Sequence, residues 1–150
     1  MTNSILLDTN VLVHTIDADS PRHPECLQVI QRTATGHVPG VLVPQVIIEC
    51  YSVITSVRRF PRPILPEEAR GVLWSLSRAI EVKPVLDSML DDLDTVLTRS
   101  PRRGQDVFDL ALVAQMIGHG IRTICTCDAN DFDLPGIRAV DPVQLLAVYT

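Results

Sequence analysis

The sequence predicts an α/β fold in which a central parallel sheet is flanked by helices on both faces. Short strand-like runs occur at Ile5-Leu6-Leu7, Val41-Leu42-Val43 and Thr123-Ile124-Cys125-Thr126. The segments between them place apolar residues at three-to-four spacing, and proline or glycine marks most junctions. Strands separated by helices pair in parallel, because each crossover returns the chain to the same end of the sheet.

The elements follow in order. Asp8-Thr9-Asn10 ends the first strand, and Val11, Leu12 and Ile16 continue at helical spacing. A second helix is predicted from Ser20-Pro21 to Gly36, with Leu27, Ile30 and Ala34 in phase. Pro44 suits the first turn of a third helix running to about Arg59, before the proline-rich break from Phe60 to Pro66. A fourth helix starts at Pro66 with Glu67 and Glu68 in its first turn, where negative charge suits the macrodipole, and uses Leu73, Leu76 and Ile80. A fifth spans about Asp87 to Thr98, with Leu90, Leu93 and Leu97 on one face and Asp91, Asp92 and Asp94 on the other. After Arg99–Gly104, a strongly apolar helix covers Asp106 to Ile117, with Gly118 and Gly120 at its end. Asp128 to Asp131 reads as a turn, and Pro142 opens a last helix to about Val148.

With 150 residues, 46% apolar and 21% charged, residues 1–150 are expected to form a single domain. A chain of this length buries roughly 70% of its unfolded surface, enough for a core without disulfide staples. The four cysteines (Cys26, Cys50, Cys125, Cys127) have no C-x-x-C spacing and no matching histidine pairs, which argues against a zinc ribbon and for a reducing, cytoplasmic setting. The N-terminal MTNSILLDTN has no basic region and is not read as a signal peptide, and no apolar run reaches the roughly 18 residues of a membrane span. Net charge is -5, with Lys83 the one lysine among thirteen basic residues, which disfavours a generally basic nucleic-acid binder. A carboxylate cluster neutralised by metal would make that formal charge misleading.

Carboxylates gather where a parallel sheet presents ligands, beyond the carboxyl ends of its strands. Asp8 follows the first strand, Asp128 follows the last long one, and Asp106 and Asp109 open the helix between. Each also has a local reading: Asp8 or Asp106 as a helix cap, Asp109 in a first turn, Asp128 in an Asx-turn. Glu49 interrupts an apolar segment inside its helix and cannot be a cap. An isolated buried carboxylate is costly unless a cation compensates, and the nearest basic residue is Arg58. The alternative is an exposed stripe shared with Gln45 and Ser52, at its i-4 and i+3 positions. Hard oxygen donors without nearby histidine or cysteine indicate Mg²⁺ or Mn²⁺. Such an ion leaves room for phosphate oxygens and an activated water, which is phosphodiester chemistry.

The pattern Ile5-Leu6-Leu7-Asp8-Thr9-Asn10-Val11-Leu12, Glu49 in an apolar helix, Asp109-Leu110-Ala111-Leu112-Val113-Ala114 with His119-Gly120, then Thr126-Cys127-Asp128 with Asp131-Phe132, resembles a PIN domain. It is most similar to the VapC-type ribonuclease toxins of bacterial toxin–antitoxin pairs, over nearly the whole chain. The resemblance implies that Asp8, Glu49 and Asp109 are the core metal ligands and catalytic acids, with Asp128 the fourth, and that Asn10 and Thr126 are auxiliary. Asp106 and Asp131 lie near enough in sequence to exchange roles with Asp109 and Asp128; Asp109 is preferred because it directly precedes the Leu-Ala-Leu-Val-Ala run. The resemblance further implies an RNA substrate, a small VapB-like antitoxin that blocks the site, and a homodimer formed through the early helices.

Water activated by Mg²⁺ or Mn²⁺ would cleave in line, giving 5′-phosphate and 3′-hydroxyl ends. Arg58, Arg59 and Arg62, and Arg102 and Arg103, border predicted loops as RNA phosphate contacts or as solvated surface charge. Rival readings fail on particular residues. A haloacid-dehalogenase-type phosphatase needs an aspartate where Asn10 stands, and a dinucleotide-binding module needs glycines in the first turn. A non-catalytic phosphoacceptor module needs a lysine after a late strand, whereas Lys83 lies between two helices. A DNA-directed or structure-specific nuclease with the same acids is the nearest rival, because composition does not separate RNA from DNA.

Overall fold

The computed structural model describes residues 2–149. Strands β1 (Ile5–Leu7), β2 (Gly40–Val41), β3 (Thr123–Cys125) and β4 (Arg138–Val140) form one parallel sheet in the order β2-β1-β3-β4. In register, Leu6 faces Val41 on one side and Ile124 on the other, and Ile124 faces Ala139. All three residues of β1 are buried, as expected of a central strand covered on both faces. The chain leaves β1 toward β2 on one side and later returns to place β3 on the other. Its topological switch point therefore lies at the end of β1, where such sheets bind ligands.

The helices are α1 (Thr9–Ile16), α2 (His23–Ala34), α3 (Pro44–Ile54), α4 (Pro66–Ala79), α5 (Met89–Arg99), α6 (Val107–Gly118) and α7 (Pro142–Val148). Helix α2 packs on α1 and α7 and α5 packs on α6, while α3 lies against α1 and α4. Leu110 to Met116 of α6 are all buried, the profile of a helix enclosed by its neighbours. Its end is a complete Schellman motif. Gly120 takes φ +70°, its N–H donates to Ile117 O at 3.0 Å, and the Ile121 N–H donates to Met116 O at 2.8 Å. This reversal turns the chain directly into β3.

Several expected boundaries shift. Helix α3 stops at Ile54 rather than Arg59, and the Ile64 N–H captures the Ile54 carbonyl at 2.8 Å. The segment around Glu49 is not uniformly buried, since Ile48 is 66% exposed. On α5, Val96 is the buried residue and Leu90 stands in solvent, so the inward face is rotated from the one the leucine spacing suggested. Strand β4, absent from the sequence reading, completes the sheet edge. Among the described residues no helix is long and apolar enough to cross a membrane.

Candidate active site

Asp8 follows β1 directly and caps α1, with Oδ1 accepting the Thr9 N–H at 2.7 Å. Its other oxygen is committed elsewhere: Thr126 Oγ1 donates to Oδ2 at 2.8 Å. The capping reading of Asp8 is therefore correct for one oxygen and leaves the second to be explained. Thr126 is wholly buried just beyond β3, and its hydroxyl accepts from Asn10 Nδ2 at 3.1 Å and from the Asp128 N–H at 3.0 Å. Asn10 Nδ2 also reaches Asp128 Oδ2 at 3.2 Å, while Asn10 Oδ1 accepts the Cys127 N–H at 3.1 Å. These bonds lock the first turn of α1 to the segment after β3 and place Asp8, Asn10, Thr126 and Asp128 together. Asp106 and Asp128 precede their helical turns but make no side-chain cap bond.

Asp8 is only 7% exposed. Burial pushes its carboxyl up to about 6, against the hydrogen bonds from Thr126 and Thr9, and the charges of Asp109 and Glu49 push the same way. Asp109, in the first turn of α6, is likewise raised to about 6, first by burial and then by repulsion from Asp131. Arg102, 3.7 Å away, opposes that rise, and Glu49 and Asp106 add to it. Among the charges acting on Asp109, that of Asp131 is the strongest.

Glu49 belongs to both readings the sequence allowed. It lines a cleft of about 590 Å³ together with Gln45 and Ser52, so the polar stripe exists, and the stripe faces the acids. Thr9 Oγ1 donates to Glu49 Oε2 at 3.1 Å, and Gln45 Nε2 donates to Oε1 at 2.5 Å and to the Phe108 carbonyl at 2.9 Å. Gln115 Nε2 donates to Gln45 Oε1 at 2.8 Å, so two glutamines tie α3 to α6, and Gln45 with Thr9 holds the Glu49 carboxylate. Sequence reasoning assigned no role to Thr9 or Gln115. The available signal was a lone amide in the otherwise apolar run from Leu110 to Ile117.

Asp109 lines that cleft and also a second one, bounded by Arg102, Arg103, Asp106, Asn130 and Asp131. Arg59 stands on the wall of the first cleft, Arg58 is exposed, and Arg62 is ion-paired with Asp19 at 2.9 Å. Arg102 further donates to the Asp131 carbonyl at 2.9 Å. Among the described residues, no group of three or more His, Cys, Asp or Glu side chains is placed to hold a metal ion by itself. That excludes a closed cage as the site stands. The donors that are present, carboxylates beside clefts that no described histidine or cysteine lines, fit a hydrated hard cation, which uses one or two carboxylates and fills its other positions with water and substrate oxygens. Asp8 and Asp109 are both destabilised as anions, a strain that a cation beside them would relieve.

A family model of the PIN domain matches residues 5–136. Over 139 residues the chain is 30% identical to Ribonuclease VapC48 of Mycobacterium tuberculosis, covering 90% of this chain and 94% of that protein. The fold is similar to that of DNA-bound VapBC from Salmonella typhimurium, with TM-score 0.66 and 20% identity over 95% of this chain and 99% of the other. It is also similar to Mycobacterium tuberculosis VapC20, a sarcin–ricin loop cleaving toxin, with TM-score 0.62 and 18% identity over 89% and 98%. FitAcB from Neisseria gonorrhoeae matches with TM-score 0.64 and 15% identity over 93% and 98%.

Proposed function

The chain belongs to the PIN domain family, and from that premise we propose that it is a metal-dependent endoribonuclease, the VapC-type toxin of a toxin–antitoxin pair. The observation that carries this reading is the pair of carboxylates, Asp8 and Asp109, both raised to about 6 at the switch point of the sheet. Groups held this far from their ordinary range, Asp109 on the cleft wall and Asp8 buried beside it, are poised for chemistry. Similarity to a curated ribonuclease over most of both chains supports the activity.

In this mechanism Asp8 and Asp109 would hold a hydrated Mg²⁺ or Mn²⁺, with Glu49 drawn in as the third ligand once the ion and substrate are bound and Asp128 as the fourth acid. When bound, the cation supplies charge neutralisation and polarises water for attack on a phosphodiester. Thr126 fixes Asp8 Oδ2, Asn10 fixes Asp128 Oδ2, and Gln45 with Thr9 fixes both oxygens of Glu49. The acids therefore enter the reaction already oriented. Asp128 is exposed at the rim, and its Oδ1, outside the Asn10 bond, takes the proton of the attacking water. Arg59, Arg102 and Arg103, with Arg58 nearby, hold the phosphates of the strand on either side of Asp109. Asp106 and Asp131 are auxiliary acids that raise the negative field around Asp109. The products are a 5′-phosphate and a 3′-hydroxyl.

The active unit is one domain spanning residues 1–150, working in the cytoplasm as a homodimer. A small VapB-like antitoxin blocks the cleft; solved structures of the same fold include a toxin–antitoxin complex from Klebsiella pneumoniae and DNA-bound VapBC from Salmonella typhimurium. The test is induction in a heterologous host, with and without the neighbouring antitoxin gene, followed by mapping of RNA ends. Growth arrest with discrete 5′-phosphate ends, absent for Asp8→Asn and suppressed by the antitoxin, is expected. Breaks in DNA, or unchanged RNA in arrested cells, overturn the reading.

A further inference from the structure

Cys26 lies on α2 with no exposed surface, and its sulfur is 3.8 Å from that of Cys127, 101 positions further along the chain. Cys127 is half-buried in the turn after β3, between Thr126 and Asp128. All four cysteines are free thiols, and Cys50 and Cys125 are fully buried. Two sulfurs at this separation need to approach by roughly 1.8 Å to reach the disulfide length of about 2.05 Å. The two sides differ in freedom to move. Helix α2 is anchored through buried Val29 and Ile30, whereas the turn beyond Cys127 is exposed at Asp128, Ala129 and Asn130. Closure therefore draws the turn toward α2. That turn is held in place by the Cys127 N–H on Asn10 Oδ1, and Asn10 is also the partner of Thr126 and Asp128.

We propose that Cys26 and Cys127 form an oxidisable dithiol, a modification site for hydroperoxides, whose disulfide displaces the turn carrying Thr126 and Asp128 and slows cleavage at the acidic cleft. The second half rests on the ribonuclease reading; the first does not. Peroxide meets the accessible Cys127 first. The Cys127 sulfur attacks one peroxide oxygen, the O–O bond breaks, and the products are a Cys127 sulfenic acid and water. The Cys26 thiol then attacks that sulfur. An S–S bond forms as the S–O bond breaks, and the thiol proton leaves with the hydroxyl as a second water. Two thiols are oxidised and one peroxide is reduced to two waters.

The experiment treats the full chain with hydrogen peroxide, unfolds it in N-ethylmaleimide, and reads intact mass and tryptic fragments. The expected result is two blocked thiols in place of four, with a fragmentation-assigned link between Cys26 and Cys127 that dithiothreitol reverses. Cys26→Ala should give no link and a Cys127 sulfenic acid trapped by dimedone; Cys127→Ala should give neither. A link from Cys26 to Cys125, or a Cys127 sulfenic acid persisting beside a free Cys26 in the unmutated chain, overturns the dithiol. In the same samples, RNA cleavage should fall at least fivefold on oxidation, recover with dithiothreitol, and be insensitive to peroxide in Cys26→Ala. Equal rates before and after linkage overturn the control of cleavage. Absence of cleavage even in the reduced protein counts against the ribonuclease reading and leaves the linkage result standing.

Discussion

The Thr126 hydroxyl donates to Asp8 Oδ2 at 2.8 Å across 118 positions of sequence, inside the protein. The same oxygen accepts from Asn10 and from the Asp128 N–H, so one hydroxyl stands at the centre of the site. Thr126→Val keeps the shape and removes all three bonds. Leaving buried partners unsatisfied costs about 1–3 kcal/mol. Because the Thr126 bond lowers the Asp8 carboxyl, its loss drives that group further up. Denaturant unfolding and carboxyl NMR titration should show both effects; an unchanged Asp8 titration refutes the assignment.

Metal-free protein should lose stability as pH rises through the range between ordinary carboxylates and about 6. Asp8 titrates near 3.8 when unfolded and about 6 when folded, so between these values the native state binds the extra proton. Its contribution is fully present below the unfolded value and is lost as pH climbs through the folded one. The size for this buried group is roughly 3 kcal/mol. Asp109 acts in the same direction, more weakly because it is partly solvated. Asp8→Asn keeps a good capping residue, flattens this dependence and melts no lower at neutral pH. Unfolding followed from pH 4 to 8 without metal checks the sign, and a stability that increases over this interval is the contrary result.

Glu49→Gln should lose cleavage by on the order of a hundredfold, since an amide offers the cation no charge. Its stability should change by no more than about 1 kcal/mol, the worth of one rearranged hydrogen bond. Equal Mn²⁺ affinity by calorimetry and equal cleavage rates would remove Glu49 from the site.

Gln45→Leu leaves every acid in place but frees Glu49 from α6. Weaker Mn²⁺ binding and roughly tenfold slower cleavage are expected, because a misplaced group close to the chemistry costs rate even when present. A protein as active as the parent would mean that the two glutamines serve packing alone.

Arg102→Ala removes the cation that opposes the rise of Asp109. The Asp109 carboxyl should move above about 6 and carry the acid limb of the pH–rate profile to higher pH. A profile that moves toward acid, or stays fixed while KM increases, would assign Arg102 to RNA phosphate alone.

Much of this was legible in the residues. Ile5–Leu7 ending in Asp8, and Thr123–Cys125 leading to Thr126, announced two neighbouring strand ends through apolar runs closed by polar turn formers. What escaped depends on three dimensions. Strand β4 has three residues, one of them the exposed Arg138, and exists because β3 offers it an edge. Helix α3 ends at Ile54 because Ile64 takes its carbonyl, a contact no local propensity encodes. The bonds of Gln45 to the Phe108 carbonyl and to Gln115 required α3 and α6 to meet. That Asp131 presses on Asp109 more than its other charged neighbours do is likewise a matter of packing, since sequence distance alone left Asp106 and Asp131 equivalent.

The order β2-β1-β3-β4 also sets when the acidic site is assembled during synthesis. Strand β1 is synthesised first yet lies between two partners, one of which is made more than a hundred residues later. At roughly 5–20 residues per second, a ribosome needs about 6–24 s to pass from Asp8 to Thr126. Until Thr126 is made the nascent chain lacks the hydroxyl that aligns Asp8, and until α6 is made Gln45 lacks the helix that braces it beside Glu49. Parallel pairing over such a separation is slow to close. The acidic site is thus incomplete until the last third of the chain has emerged, and on the proposed toxin reading an inhibitor made alongside it gains that time to be ready.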